Sequence, residues 1–394
     1  KPKASLFFVS YEKISKEDGV RPISFCFNGG PGSSSIWLHM GFLGPKTISI
    51  PDLQPAAPPY TLVSNPDSLL AVSDLVMIDP VSTGFSTAIP PEEAKKFHGV
   101  DQDIESIGEF IRLYLTKYNR WSSSKFLIGE SYGTTRAALL ADHLQDKLGI
   151  MLNGLVLISP ALNFQVFDFS EGNDLPYLLF LPTYTATAWY HKKLSADLQQ
   201  NLEKTLNLAK QFAEKEYLTS LFLGDALPAS QKTTSLDQLQ AFTGLSKEYL
   251  SSCRLRPKDA QFLKNLLKDR QKIVSRMDGR WIGPDPKTTQ DSAQEDPGLD
   301  GIIGAFVAGF QMYLQGDLKY TREQPYQFFG NVQPWNYGVD NHHLNVSDKL
   351  ENVLLKNPAV RIFVASGLFD LATPFYASTY VLRHLQSSVF SPEQ

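Results

Sequence analysis

The chain has 394 residues, 42% of them hydrophobic and 20% charged, with a formal net charge of −4. That length can bury a large core and exceeds the usual single domain. No basic patch suggests nucleic acid, no apolar run reaches the about 18 residues of a membrane span, and the seven histidines and two cysteines show no metal-ligand spacing.

In chain order, residues 6–11 and 23–27 read as strands, separated by a polar turn at 15–19. Cys26 falls in the second strand, where a small buried side chain is expected rather than a bridge. The strand runs into Asn28-Gly29-Gly30-Pro31-Gly32, a turn too glycine-rich to be incidental. Its spacing matches neither a Walker loop nor a dinucleotide fingerprint. A proline-rich loop occupies 51–60, a strand 74–79 and an amphipathic helix 101–118.

Next comes the apolar strand 126–128, running into Gly129-Glu130-Ser131-Tyr132-Gly133 and a helical pattern over 134–146. Strand, Gly-x-Ser-x-Gly and helix together are the setting of a nucleophilic serine, lifted on a sharp turn above the sheet. Ser131 is therefore the candidate nucleophile. A tetrahedral oxyanion needs two backbone N–H donors. Tyr132, just after the nucleophile, and Gly30 in the pair Gly29-Gly30 are placed to supply them.

Residues 154–158 form the next strand, and the β-α-β-α-β alternation calls for a mostly parallel sheet with helices on both faces. From about 161 strands disappear. Helices are expected at 183–191, 194–217, 235–243, 246–253 and 258–276, followed by a Gly-, Pro- and acid-rich stretch at 278–301 and helices at 302–314 and 347–356. This reads as a helical insertion, or cap, over the site. Residues 1–165 and 356–394 then make the core, with 166–355 inserted. A strand at 361–365 returns the chain to the sheet, and Asp370 follows it, where the acid of a Ser, Asp, His order belongs.

The motifs Asn28-Gly29-Gly30-Pro31-Gly32-Ser33-Ser34-Ser35, Gly44-Pro45, Asp79-Pro80-Val81-x-x-Gly84-Phe85-Ser86 and Gly129-Glu130-Ser131-Tyr132-Gly133 together resemble the serine carboxypeptidase family. The likeness is dense over 20–165 and returns around 366–374. Serine in place of the cysteine that many members carry in the glycine-rich segment resembles the bacterial branch. The resemblance implies an α/β-hydrolase fold, a peptide substrate, no cofactor, no metal and an extracytoplasmic location. It further implies acyl-enzyme chemistry on Ser131, oriented through Asp370, and recognition of a C-terminal carboxylate by Asn28, Gly29 and Glu130. Two positions depart from the family's pattern. Cys26 stands where a tryptophan is usual, and Phe42 where a second glutamic acid is usual.

Only His384 follows Asp370, and it sits inside the helical pattern 374–385. It reads as a helix-surface residue. The expectation is a chain that lacks a C-terminal segment bearing the histidine, with an inactive relative as the other reading. The opening KPKASLFF, without methionine, reads as a processed or trimmed start. The alternatives to a carboxypeptidase are an esterase or acyltransferase on the same scaffold, or a peptide-binding protein without catalysis.

Overall fold

The computed structural model describes residues 2–14, 20–287, 289–293 and 295–385. The turn expected at 15–19 lies outside them. The central sheet has six strands: β1 (Phe8–Tyr11), β2 (Ile23–Phe27), β3 (Asp74–Ile78), β4 (Lys125–Glu130), β5 (Gly154–Ile158) and β6 (Arg361–Ala365). Their order across the sheet is β6-β5-β4-β2-β3-β1, parallel throughout except for β1, which runs antiparallel to β3.

Strands covered on both faces are mainly apolar, and every residue of β2 and β3 is buried, Ser24 and Asp74 included. Side chains alternate between the faces. Ile23, Phe25 and Phe27 join the core beneath helices Val100–Lys117, Tyr132–Leu148 and Ser347–Lys356. Cys26 points the other way, to Leu38, Leu43, Met77 and Ile128, and is fully buried.

Between β5 and β6 the helix Leu175–Tyr190 is apolar on all sides, so it needs neighbours all around. It heads a second core with Phe212, Tyr217, Leu239 and Phe262, where the Tyr184 and Phe262 rings stack at 4.1 Å. The sequence pattern placed this helix's start eight residues late, because a helix buried all round shows no apolar stripe. The helix expected over 258–276 stops at Asn265 and is followed by strand Lys272–Val274, which pairs with Ile282–Pro284. The β-branched pair Ile273-Val274 carries that strand.

Candidate active site

Ser131 sits between β4 and helix Tyr132–Leu148 at φ 57°, ψ −128°. A non-glycine residue there costs on the order of 1–3 kcal/mol and lifts its side chain above the sheet. The turn is held by the Ser131 N–H donating to the Ile158 carbonyl at 3.0 Å. Its two glycines are sterically required. A Cβ on Gly129 would lie 2.1 Å from the Gly133 carbonyl oxygen, and one on Gly133 would lie 2.7 Å from that of Phe27.

The glycine loop lies directly against this turn. A Cβ on Gly29 would approach the Tyr132 nitrogen to 2.4 Å, so only glycine allows the contact. Gly30, at φ 106°, turns the chain. Tyr132 opens its helix, so its N–H has no carbonyl one turn back. Two backbone segments able to present N–H groups thus meet beside the serine.

Asn28 joins the loop to the carboxyl next to Ser131. Its Nδ2 donates to Glu130 Oε2 at 2.9 Å, and its Oδ1 accepts from Leu38 N–H at 3.0 Å. Burial pushes the Glu130 carboxyl above its usual range. Hydrogen bonds from Asn28 and the Gly29 N–H oppose that shift, and the nearby Asp370 charge adds to it. Asp370 accepts from the N–H groups of Ala372 and Thr373, both at 2.9 Å, and from the Thr373 hydroxyl at 2.8 Å. Burial raises its pKa, against these bonds and one from the Ser159 side chain. The register accounts for the proximity. Glu130 pairs with Ile158, so Ser131 and Ser159 are the next neighbours across two strands about 4.8 Å apart.

All seven histidines lie among the described residues, and each has its contacts elsewhere. His39 bonds Tyr11, His98 bonds Ser82, His191 meets the Gly279 carbonyl, and His343 pairs with Asp168. His342 meets the Asp340 carbonyl, and the His143 ring lies against Gly108. His384 caps the last helix, exposed, with Nδ1 on the Tyr380 carbonyl at 2.8 Å. The two departures from the family pattern also fall away from the serine's hydrogen-bonding partners. Cys26 is sealed in the core and Phe42 is 55% exposed on a π-helical turn.

Three supporting features escaped the sequence reading. Arg136, wholly buried, donates from Nε to Asp103 at 2.7 Å and from Nη1 to the Asn28 carbonyl at 2.6 Å. Residues 326–337, within the expected insertion, pack on the glycine loop. Ser34 N–H donates to the Phe328 carbonyl, and Gly330 N–H to the Gly32 carbonyl. Trp335 packs against Tyr132. The third is the role of Asp79, a residue of the motif noted above, whose Oδ1 accepts from both the N–H and the hydroxyl of Ser35 at 2.8 Å, fixing the far end of the loop. Gly84 closes over Asp79 so tightly that a Cβ would collide with Oδ2.

Burial pushes the Asp79 pKa up to about 6, with the Ser35 bonds opposing. The folded state therefore holds this proton more tightly than the unfolded chain does, and stability falls as pH rises from about 4 to about 6. Asp79→Asn keeps an acceptor for Ser35 without the charge. It should raise the melting temperature at pH 7.5, by the equivalent of about 1–3 kcal/mol, and leave it unchanged at pH 4. Thermal melts at both values check this. A lower melting temperature at pH 7.5 would mean that the loop needs the charge.

Among the described residues no helix is long and apolar enough to cross a membrane, and no group of three or more His, Cys, Asp or Glu is placed to hold a metal ion.

The family model described as serine carboxypeptidase matches residues 1–393. Serine carboxypeptidase-like 36 of Arabidopsis thaliana is 26% identical over 173 residues, 43% of this chain and 34% of that protein. The vacuolar serine-type carboxypeptidase ATG42 of Saccharomyces cerevisiae is 24% identical over 246 residues, 61% of this chain and 44% of that protein. The matches thus span less than half the length of these two relatives. The crystal structure of Kex1(delta)p, a prohormone-processing carboxypeptidase from Saccharomyces cerevisiae, aligns over 98% of this chain and 74% of its own, with a TM-score of 0.58 and 16% identity. That likeness gives the fold, an α/β hydrolase. The curated relatives are plant and fungal proteins, so the expected bacterial branch finds no support among them.

Proposed function

The chain belongs to the serine carboxypeptidase family, and from that premise we propose that it is part of an enzyme removing C-terminal residues from peptides through an acyl-enzyme on Ser131. Gly30 and Tyr132 N–H groups hold the oxyanion, and Asp370 orients the general base. The observation that carries this reading is Asn28, which ties the glycine loop to Glu130 beside the nucleophile. A protonated Glu130 with Asn28 and Gly29 makes a receptor for a free carboxylate next to a serine.

The base is a histidine outside the described contacts, on a further strand against β6. Support comes from β6 itself, which pairs only with β5 among the described residues and leaves Phe363 63% exposed. An open apolar edge of that kind is a template for another strand. We assign 1–165 and 356–394 to the hydrolase core and 166–355 to the insertion, with helix Ser347–Lys356 packed on the core side. Like its vacuolar relative, the protein is proposed to act outside the cytoplasm.

The test compares a peptide acid with its C-terminal amide at pH 5 and pH 7, using the full-length protein. The acid should be preferred, more so at pH 5 than at pH 7, because burial raises the Glu130 carboxyl and lower pH favours its protonated, hydrogen-bond-donating form. The ionised form repels the substrate carboxylate. Preference should stay below about 1,000-fold, because Cys26 and Phe42 offer no hydrogen bond where the family places one. Asn28→Ala should slow the acid more than the amide. If only esters turn over, the esterase reading replaces this one.

A further inference from the structure

The helical insertion carries a solvent-open cavity of about 620 Å³, within the range of small-molecule sites. None of its lining residues belongs to the glycine loop, the serine turn or the Asp370 loop. Its inner wall is apolar, with Leu227 and Leu255 buried there. Tyr177 stands in this wall, only 5% exposed, with its ring edge-on to Phe169. No hydrogen-bond partner for its hydroxyl is found among the described residues. Burial keeps that phenol protonated, so it remains a donor. A hydroxyl that reaches a cavity without a protein partner can donate to a ligand there.

Cations surround it. Arg256 is held in place by a bidentate pair with Asp174, at 2.6 and 2.8 Å, and by the Leu221 and Arg254 carbonyls. One N–H of its Nη1 is left over. Lys232, Arg254 and Lys258 also line the cavity. Three carboxylates do so too, but Asp174 is taken up by Arg256, which leaves cations in excess. The wall bends through two successive non-glycine residues at positive φ, Arg254 at 51° and Leu255 at 64°. Such strain persists where surrounding structure enforces it and clusters at ligand clamps.

We propose that this cavity is a second ligand site, taking a small carboxylate with an apolar body. The carboxylate accepts from Tyr177 and the Arg256 edge, and the apolar part lies on Leu227 and Leu255. An N-acylated amino acid and a medium-chain fatty acid share this chemistry. The proposal stands apart from the reading of the Ser131 site.

Cys253, a half-buried free thiol, lines the same cavity and reports on its occupancy. Its alkylation rate is followed by mass spectrometry, with N-acetyl-L-phenylalanine, its amide, or octanoate present. Ser131→Ala protein is used, so that turnover plays no part. At least one of the two acids should slow alkylation about fivefold or more at saturation, and the amide should not. The tighter acid identifies the source class. Tyr177→Phe should raise the half-protecting concentration about tenfold, as expected for losing a hydrogen bond to a charged group. Lys232→Gln, at an exposed rim position, should raise it more modestly. No protection up to about 10 mM of either acid, equal protection by the amide, or an unchanged concentration in Tyr177→Phe would each overturn the proposal.

Discussion

Ser131→Ala should abolish rapid labelling of the full-length protein by a fluorophosphonate, a loss of at least about 1,000-fold in rate. The turn at φ 57° strains a serine for no structural gain visible elsewhere in the fold. Two glycines are spent to let β2 and the helix approach it, and a third, Gly29, lets the loop touch the Tyr132 nitrogen. A merely solvated serine would need none of this. His384→Ala should leave the labelling rate within about twofold, since that ring is exposed and bonded to its own helix. Residues 1–394 alone should label slowly, because no histidine among those described contacts Ser131 or Asp370. Labelling that survives Ser131→Ala would place the nucleophile elsewhere. A fast 394-residue chain that His384→Ala silences would make His384 the base.

Much of this site could be read from the sequence because its geometry is local. Gly-x-Ser-x-Gly between an apolar strand and a helix dictates its own turn, and Gly29-Gly30 follows a mainly apolar strand, as a central position requires. β6 and helix Ser347–Lys356 match their expected bounds because each is a short run with a clear period and a polar flank. What stayed hidden is non-local. Arg136 lies within a helical pattern and Asp103 within another, 33 residues earlier, and nothing in either segment shows that both charges face inward. Residues 326–337 carry no periodicity at all. Their place over the glycine loop is set by backbone bonds to Gly32 and Ser34, which have no sequence signature. The insertion's helix ends were blurred by helices buried on all sides and by short turns between them.

Arg136→Met should be the most destabilising single change in the site's support, costing about 3–5 kcal/mol. The Arg136 side chain is 1% exposed and the Asp103 side chain 4%, so neither charge has water to fall back on. Burial already raises the Asp103 pKa, and Arg136 is the group that opposes it. Without Arg136 the carboxylate is left uncompensated and must protonate. Folding must then take up a proton at Asp103, which costs less as pH falls, so the loss should shrink from pH 7 toward pH 5. The double variant Asp103→Asn, Arg136→Met should recover much of the loss, because an uncharged pair removes the orphaned ion. Arg136 also holds the Asn28 carbonyl, and its guanidinium lies 5.3 Å from the Tyr132 ring centroid. The double variant should therefore fold but act more slowly, with the loss concentrated on substrates bearing a free carboxylate. Urea unfolding at both pH values measures the first effect, and the acid-to-amide ratio measures the second. A loss under about 1 kcal/mol, or one independent of pH, would show that water reaches Asp103 and that the ion pair is not what anchors Asn28.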